Sequence, residues 1–123
     1  MDKLQQFEYE GQPVSFDFFN QNVMVNASEI ETIFDKDLTS FFFQDENIKN
    51  FIEVGLNSDY AKKLGIFELA DYYVIKESGV WMHRLLAHKL SQMLTAEFEV
   101  WFSIVTTEYI RSLLVSSLNK TED

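Results

Sequence analysis

The chain has 123 residues with 20 acidic and 10 basic side chains, which gives a formal net charge of −10 and an estimated pI of about 4.5. This length suits a single domain, and an apolar content of 46% favours a packed core over a disordered chain. The lack of Cys excludes disulfides and thiolate metal sites, and no apolar run reaches the roughly 18 residues of a membrane-spanning helix.

The acidic excess lies in the first half of the chain. Residues 1–60 contain twelve acids and three bases, whereas residues 61–123 contain eight acids and seven bases. Nucleic-acid-binding proteins usually present a basic surface, because much of their affinity comes from neutralising phosphates. The charge therefore favours a positively charged partner. The first residues do not resemble a signal peptide, so we expect a cytoplasmic protein.

The N-terminal segment has the alternation of apolar and polar residues that is typical of strands. Phe7 and Tyr9 alternate with polar residues, and so do Val14 and Phe16 further along. Residues 11–13 between them predict the turn of an antiparallel hairpin, and residues 20–22 predict a second turn.

Helix signals follow from residue 26 onwards. Asn26 is predicted to be an N-cap with Glu29 in the capping-box position, and Asp37 and Asp45 are predicted N-caps of two further helices. Residues 60–64 predict one more helical turn. Residues 67–76 are rich in β-formers and predict a strand that returns to the sheet.

The segment 79–98 predicts a turn, a short apolar stretch, a helix, a capped joint and a second helix. Gly79 belongs to the turn, Leu86 and Leu90 lie on one helical face, and Thr95 is the predicted N-cap of the last helix. From Tyr109 to Leu118 that helix carries an apolar stripe, which is expected either to close the core or to pair two chains.

The same segment resembles the signature of the KilA-N family, the KilA amino-terminal domain of phages and large DNA viruses. The positions in register with the family pattern are Gly79, Trp81, His83, Leu86, Ala87, Leu94, Thr95, Glu97 and Phe98. Asn26 and its neighbours resemble the upstream Asn-Ala-Thr/Ser motif, so the resemblance covers about residues 18–110. It implies a single α+β domain over residues 1–123, with a short antiparallel sheet packed against four or five helices.

The sequence shows no pattern typical of an enzyme. His83 and His88 are five residues apart and do not share a helical face as metal ligands four apart would. No Ser with a plausible base and no Gly-rich phosphate loop is present. We expect neither catalysis nor a metal or other cofactor, and we expect His83 to order the strand-to-helix turn by hydrogen bonding.

The resemblance also implies a DNA-contacting segment, which is altered here. The family pattern places Phe-Gly-Lys-Arg after the first helix, and this chain keeps Lys36 but has Asp35 and Asp37 in place of Gly and Arg. Phe43 stands about where a further Arg is expected, and an acidic pair replaces the Ser/Thr neighbourhood. A good Arg-to-base contact is worth roughly 1–3 kcal/mol, so these exchanges weaken DNA binding without excluding it.

Two explanations of the acids remain open. They are either a partner-binding surface or a solvated face with helix N-caps, and capping alone would account for Asp37 and Asp45. Three consecutive Phe residues, 41–43, span about 200° of a helix, so we expect Phe43 to be partly exposed. An exposed aromatic ring among acids is typical of a protein-binding hot spot, unless another element covers the ring.

Two functions follow. The first is a phage or prophage protein that binds a basic nucleic-acid-handling protein, such as a CRISPR effector or a repressor, and inhibits or retargets it. Its predicted contact residues are Asp35, Asp37, Phe43, Asp45 and Glu46. The alternative is the family's sequence-specific DNA-binding regulator, with a homodimer through the C-terminal helix. Its predicted contact residues are Lys36, Lys49, Lys62, Lys63 and Arg84.

Overall fold

The computed structural model describes residues 3–35 and 37–121, apart from a few side chains, and it shows a five-stranded antiparallel sheet with helices against it. The strands are β1 (Gln5–Tyr9), β2 (Gln12–Phe19), β3 (Asn22–Asn26), β4 (Tyr73–Lys76) and β5 (Gly79–His83). Their order in the sheet is β1-β2-β3-β5-β4, so the helices between β3 and β4 are inserted before the chain returns to pair β5 with β3.

Seven helices are present in the described residues, which is more than the four or five expected. They are α1 (Ala27–Phe34), α2 (Leu38–Gln44), α3 (Glu46–Leu56), α4 (Asp59–Lys63), α5 (Leu69–Tyr72), α6 (Arg84–Gln92) and α7 (Ala96–Thr121). The α+β class is confirmed, and the predicted short apolar stretch after the turn is the strand β5, followed by α6, the joint and α7 as predicted. The larger count comes from α4 and α5, which are single turns.

Two tight turns set the register of the first three strands. Tyr9 pairs with Gln12, so the first turn consists of Glu10 and Gly11 alone, with φ angles of 51° and 81°. The prediction of a turn at residues 11–13 was therefore displaced by one residue, because Gln12 and Pro13 already belong to β2. Positive φ at both central residues is typical of two-residue hairpin turns, whose twist matches that of the strands.

The strand predicted over residues 67–76 was wrong in its first half. Glu68 and Asp71 form a capping box, and the Asp71 carboxylate accepts the backbone N–H groups of Phe67 and Glu68 at 2.9 and 3.1 Å. These local bonds favour one helical turn over an extended chain. The β-rich residues from Tyr73 onwards form β4 as predicted.

The capping box predicted at α1 was half right. Asn26 Oδ1 accepts the Glu29 backbone N–H at 3.1 Å, as predicted. The Glu29 carboxylate, however, accepts the backbone N–H of Ser15 at 2.7 Å, so it binds the neighbouring strand β2. Glu29 thereby joins α1 to the sheet.

The core packs the sheet against helices that include α1, α6 and α7, and buried residues of α2 to α5 also belong to it, among them Phe42, Ile48 and Tyr72. Its largest fully buried side chains include Phe16, Phe98, Phe102 and Tyr109, and Phe16 stacks on Phe102 with ring centroids 5.8 Å apart. The Tyr109 hydroxyl donates to the Lys3 carbonyl at 2.8 Å and holds the start of the chain against α7. Within the described ranges, no helix combines the length and the apolar character needed to cross a membrane.

Candidate partner-binding surface

The signature residues join the start of α1 to the β4–β5 hairpin. The Asn26 side chain caps α1 through Oδ1 and donates through Nδ2 to the Ser78 carbonyl at 3.0 Å. The Ser28 hydroxyl accepts the backbone N–H of Val80 at 2.9 Å. One short motif thus fixes the hairpin against the helix, so the Asn-Ala-Ser residues have a structural role.

Gly79 is required by this junction. Its φ is 128°, and a Cβ atom there would lie 2.8 Å from both Cβ and Oγ of Ser28. A side chain at this position would meet backbone strain and a collision together.

Trp81 and Phe98 are both buried. The Trp81 ring is 5% exposed, and its indole N–H donates to the Ser78 hydroxyl at 2.8 Å. Phe98 is fully buried, and the Thr95 hydroxyl accepts its backbone N–H at 3.1 Å, which confirms Thr95 as the N-cap of α7. The Phe98 ring packs edge-on against Tyr9 of β1, with centroids 5.0 Å apart.

His83 has the structural role that the sequence predicts. It lies at the junction of β5 and α6, where Nδ1 accepts the backbone N–H of Leu85 at 3.1 Å. Burial, and to a smaller extent the neighbouring Arg84 charge, lower the pKa of the imidazole to about 4, against a smaller opposing effect of Asp71. The ring is therefore neutral at pH 7, as an accepting N-cap requires. Across the described residues, no cluster of His, Asp or Glu is arranged to hold a metal ion.

The four acids predicted as partner contacts occupy the two junctions at either end of α2, and we call them the acidic junction surface: Asp35, Asp37, Asp45 and Glu46. Asp35 ends α1 in the left-handed conformation, with φ 50° and ψ 49°. This backbone region favours Gly, Asn and Asp, because a short polar side chain tolerates it best. The Asp35 side chain is exposed.

The capping explanation holds for one junction and fails for the other. Asp45 accepts the backbone N–H groups of Asn47 and Ile48 at 2.8 and 3.3 Å, so it caps α3 as predicted. Asp37 stands at the N-cap position of α2, yet its exposed side chain makes no capping hydrogen bond. Capping therefore gives no account of Asp37.

The Glu46 carboxylate extends into solvent. Its side chain is 89% exposed and pairs with the Lys49 ammonium group at 3.6 Å. An exposed ion pair of this kind contributes little to stability, about 0–1 kcal/mol. It does mean that an acid already lies beside the base that the DNA-binding alternative needs.

The Phe43 side chain is half-buried, as predicted, but its ring packs against two other aromatic rings. It packs against Tyr73 of β4 with centroids 4.5 Å apart and against Phe42 at 5.4 Å. Phe42 is fully buried. Adjacent residues of a helix point about 100° apart, so Phe43 does not share the direction of Phe42. The β4–β5 hairpin is thus the element that covers Phe43.

The bases predicted for DNA contact are distributed over three helices. Lys49 lies on α3, Lys62 and Lys63 lie in the last turn of α4, and Arg84 begins α6. Lys36 lies outside the described residues. Lys63 Nζ lies 5.7 Å from the ring centroid of Tyr60.

Sequence reasoning missed two exposed aromatic rings. Tyr60 on α4 is 80% exposed, and Phe67, just before α5, is 65% exposed. Exposed aromatic side chains are enriched among residues that anchor protein interfaces. Tyr60 stands in a polar segment, which was the available signal, whereas Phe67 stands among apolar residues and gave no such signal.

Comparisons with known proteins identify the family of this fold. A model of the KilA-N domain matches residues 8–112. Because that match covers most of the chain, the protein belongs to the KilA-N domain family, which is a phage-type DNA-binding regulatory family. The resemblance seen in the motifs is confirmed. Neither the curated proteins nor the solved structures compared with the chain give a match.

Proposed function

We propose that this KilA-N domain is a non-enzymatic phage or prophage protein that binds a basic, nucleic-acid-handling protein. Docking of the acidic junction surface on the groove that normally holds nucleic acid would inhibit or retarget the partner. A CRISPR effector or a repressor is the kind of partner that fits, so the protein would act as an anti-defence inhibitor or an antirepressor in the bacterial cytoplasm.

The observation that supports this function most is the exposed carboxylate of Asp37. Asp37 and Asp35 both face solvent between α1 and α2, and Asp37 contributes no capping bond. An acid that faces phosphate is repulsive, whereas an acid that faces Lys or Arg speeds association through electrostatic steering. The net charge of −10 extends the same preference over the whole molecule.

Aromatic residues on α2, on α4 and just before α5 suggest how the protein would gain affinity for such a partner. Charge complementarity mainly sets rate and specificity, and apolar anchors supply much of the binding energy. Phe43 is half-buried and is therefore a rim contact. Tyr60 and Phe67 present larger exposed rings, so they are the better candidate anchors.

The alternative function is the family's sequence-specific DNA-binding regulation. The exposed pair Lys62 and Lys63 favours it, since both lie in the last turn of α4 and neither forms an ion pair with a described acid. Lys49 supports it less, because Glu46 lies 3.6 Å away.

The test compares two triple variants with equal changes in charge. The neutralised variant carries Asp35→Asn, Asp37→Asn and Glu46→Gln, where Asn retains tolerance of the left-handed backbone at position 35. Asp45 is left intact because it caps α3. The matched control carries Glu8→Gln, Glu77→Gln and Glu108→Gln, three exposed acids on other elements.

Each variant serves as bait in a pull-down from bacterial lysate, at low and at high salt. We expect wild type and control to capture the same basic protein at low salt, and the neutralised variant to lose it. Loss of capture by the control as well would mean that capture depends on net charge and not on the position of the acids. Equal capture by all three proteins would refute the acidic junction surface as the contact.

A further inference from the structure

A cleft of about 640 Å³ lies between the end of the sheet and the second half of α7. Its walls include apolar side chains of both elements, among them Phe18, Val23, Ile110 and Leu113. A volume of this size, with mostly apolar walls and a few polar groups, is typical of small-molecule sites. Neither the acidic junction surface nor the exposed rings of Tyr60 and Phe67 belong to it.

The charged residues that line the cleft are basic, in a protein with twice as many acids as bases. They are Lys3 and Arg84, and none of the Asp and Glu residues that the structure describes lines the cleft. His83 also lines it and adds no charge at pH 7, because its buried ring is neutral. Neither base forms an ion pair with a described acid. The described lining of the cleft therefore carries positive charge at pH 7.

The sheet register places the two bases at opposite sides of the cleft floor. Gln5 pairs with Phe16, Phe18 pairs with Val23, and Met24 pairs with His83. Lys3 precedes β1 by two residues and Arg84 directly follows β5, so continuing these registers beyond the strand ends gives a row that runs Lys3, Phe18, Val23 and Arg84. Three strand spacings separate the ends of this row, which places the two backbones about 14 Å apart.

Long side chains shorten that distance. Lys3 Nζ already lies 4.7 Å from the ring centroid of Phe18, so the ammonium group leans over the floor of the cleft. Arg84 is the first residue of α6, and its guanidinium group has a fork of donors suited to a carboxylate, sulfonate or phosphate.

Asn22 forms part of the polar lining beside the cleft. Asn22 lines the cleft and is 3% exposed; its Nδ2 donates to the Asn20 carbonyl, but its Oδ1 accepts no hydrogen bond from the described residues. A buried acceptor without a donor is costly. The Oδ1 atom lies beside Gly65 and has almost no accessible surface, so the cost falls on the folded chain and not on a ligand in the cleft.

We propose that this cleft binds a small amphipathic anion, with an apolar body on Phe18, Val23 and Leu113 and an acidic group between Lys3 and Arg84. This site is independent of the proposed partner surface. It would give the domain a small-molecule effector site next to the joint between β5 and α6.

The probe is 8-anilinonaphthalene-1-sulfonate, which fluoresces in apolar sites and carries an amine N–H besides its sulfonate. Its uncharged analogue N-phenyl-1-naphthylamine has the same apolar body without the anion. We expect one saturable sulfonate site per folded chain, with much weaker binding of the uncharged analogue. Equal affinity for the two probes, or no saturable binding of the sulfonate, would overturn the proposal.

Variants then locate the site. Lys3→Gln with Arg84→Gln should lower affinity for the sulfonate about tenfold or more, the usual scale of charge-assisted hydrogen bonds, and leave the uncharged probe unchanged. Lys62→Gln with Lys63→Gln is the matched control, because it removes two exposed bases outside the cleft. An equal loss in the control would make the effect one of net charge and refute the site.

A variant that fills the cleft tests whether the probes bind in the cleft or elsewhere on the protein. Ser112 is exposed and lines the cleft, so Ser112→Trp places an indole ring in it without removing core packing. Both probes should then lose affinity, with an unchanged melting temperature showing that the domain remains folded. Retained sulfonate binding would place the probe outside this cleft. None of these results depends on protein capture, so failure here leaves the proposed function to its own test.

Discussion

Gly79 and His83 show how single residues fix the junction between β5 and its neighbours. Both were predicted from the sequence, Gly79 as a turn residue and His83 as a group that orders the turn. The sequence did not predict the partner of Gly79, because the close approach to Ser28 joins positions about fifty residues apart. Contacts of that range depend on the register of the whole sheet.

Replacement of Gly79 by Ala should destabilise the domain by about 2–4 kcal/mol, because a strained φ of 128° adds to the collision with Ser28. Gly11→Ala is the matched control, since Gly11 also has positive φ but has open space around its Cβ position; it should cost only roughly 1–2 kcal/mol. Urea unfolding measures both. Equal losses would mean that the Ser28 contact contributes nothing.

His83 should make stability depend on pH below neutrality. Burial lowers its pKa from 6.5 to about 4, so the unfolded chain binds a proton at higher pH than the folded chain does. The contribution is complete above about pH 6.5 and is lost as pH falls to about 4, by up to about 3 kcal/mol.

His83→Asn isolates this effect, because Asn can cap α6 but does not titrate. Between pH 7 and pH 4, wild type should lose about 3 kcal/mol more unfolding free energy than the variant does. The carboxylates titrate in both proteins and cancel in the difference. Parallel pH profiles would contradict a buried neutral imidazole.

At the scale of elements, local signals predicted well where local bonds decide the structure. Asn26, Asp45 and Thr95 cap helices as predicted, because an N-cap bond spans only two or three residues. The strand predicted at residue 67 failed for the same reason, since the Glu68–Asp71 box is also local and outweighs β-propensity. The hydrogen-bond partner of Glu29 could not be predicted, because Glu29 lies on α1 and its partner Ser15 lies on β2.

Glu29→Ala should destabilise the domain by about 1–3 kcal/mol, because it leaves the buried Ser15 N–H without an acceptor. Glu29→Gln is the control, since its amide oxygen can still accept that bond, and it should lose less. Chemical denaturation compares the two variants. If Gln and Ala are equally destabilising, the charge of Glu29 and not the bond to β2 is the stabilising feature.

The sequence linked the apolar stripe from Tyr109 to Leu118 either to the core or to a dimer. Tyr109 is buried, and Ile110 and Leu113 pack against the core, so this part of the stripe closes the core. Leu114 and Leu118 are exposed on the outer face of α7, where the dimer stays a proposal. Val100, Ile104, Leu114 and Leu118 are each more than half exposed and lie within about 60° of one helical direction. Arg111 lies on the same line, so a parallel pair would bring two Arg residues together and an antiparallel pair would not.

Ile104→Glu should abolish self-association, because it places a charge in the middle of this stripe, and should leave the melting temperature unchanged since Ile104 is exposed. Sedimentation velocity over a range of concentrations measures the oligomeric state. Glu108→Gln serves as the control on the same helix. A wild-type protein that stays monomeric throughout would contradict the dimer.

At the scale of the whole molecule, the fold and the charge favour different kinds of partner. The KilA-N fold favours nucleic acid, whereas a net charge of −10 with exposed acids at both ends of α2 opposes it. Fold class and signature could be predicted from sequence, because motif residues hold the junctions together. The cleft could not be predicted from sequence, because Lys3 and Arg84 come to line the same cleft only through the register of four strands.

The most direct measurement is the binding of a labelled 20-base-pair DNA duplex, detected by fluorescence anisotropy. The assay uses low salt, because electrostatic affinity is largest there. The account predicts no saturable binding by wild type or by the Glu8, Glu77 and Glu108 control, and measurable binding once Asp35, Asp37 and Glu46 are neutralised. Tight binding by wild type that weakens steeply with added salt would contradict it and favour the DNA-binding regulator.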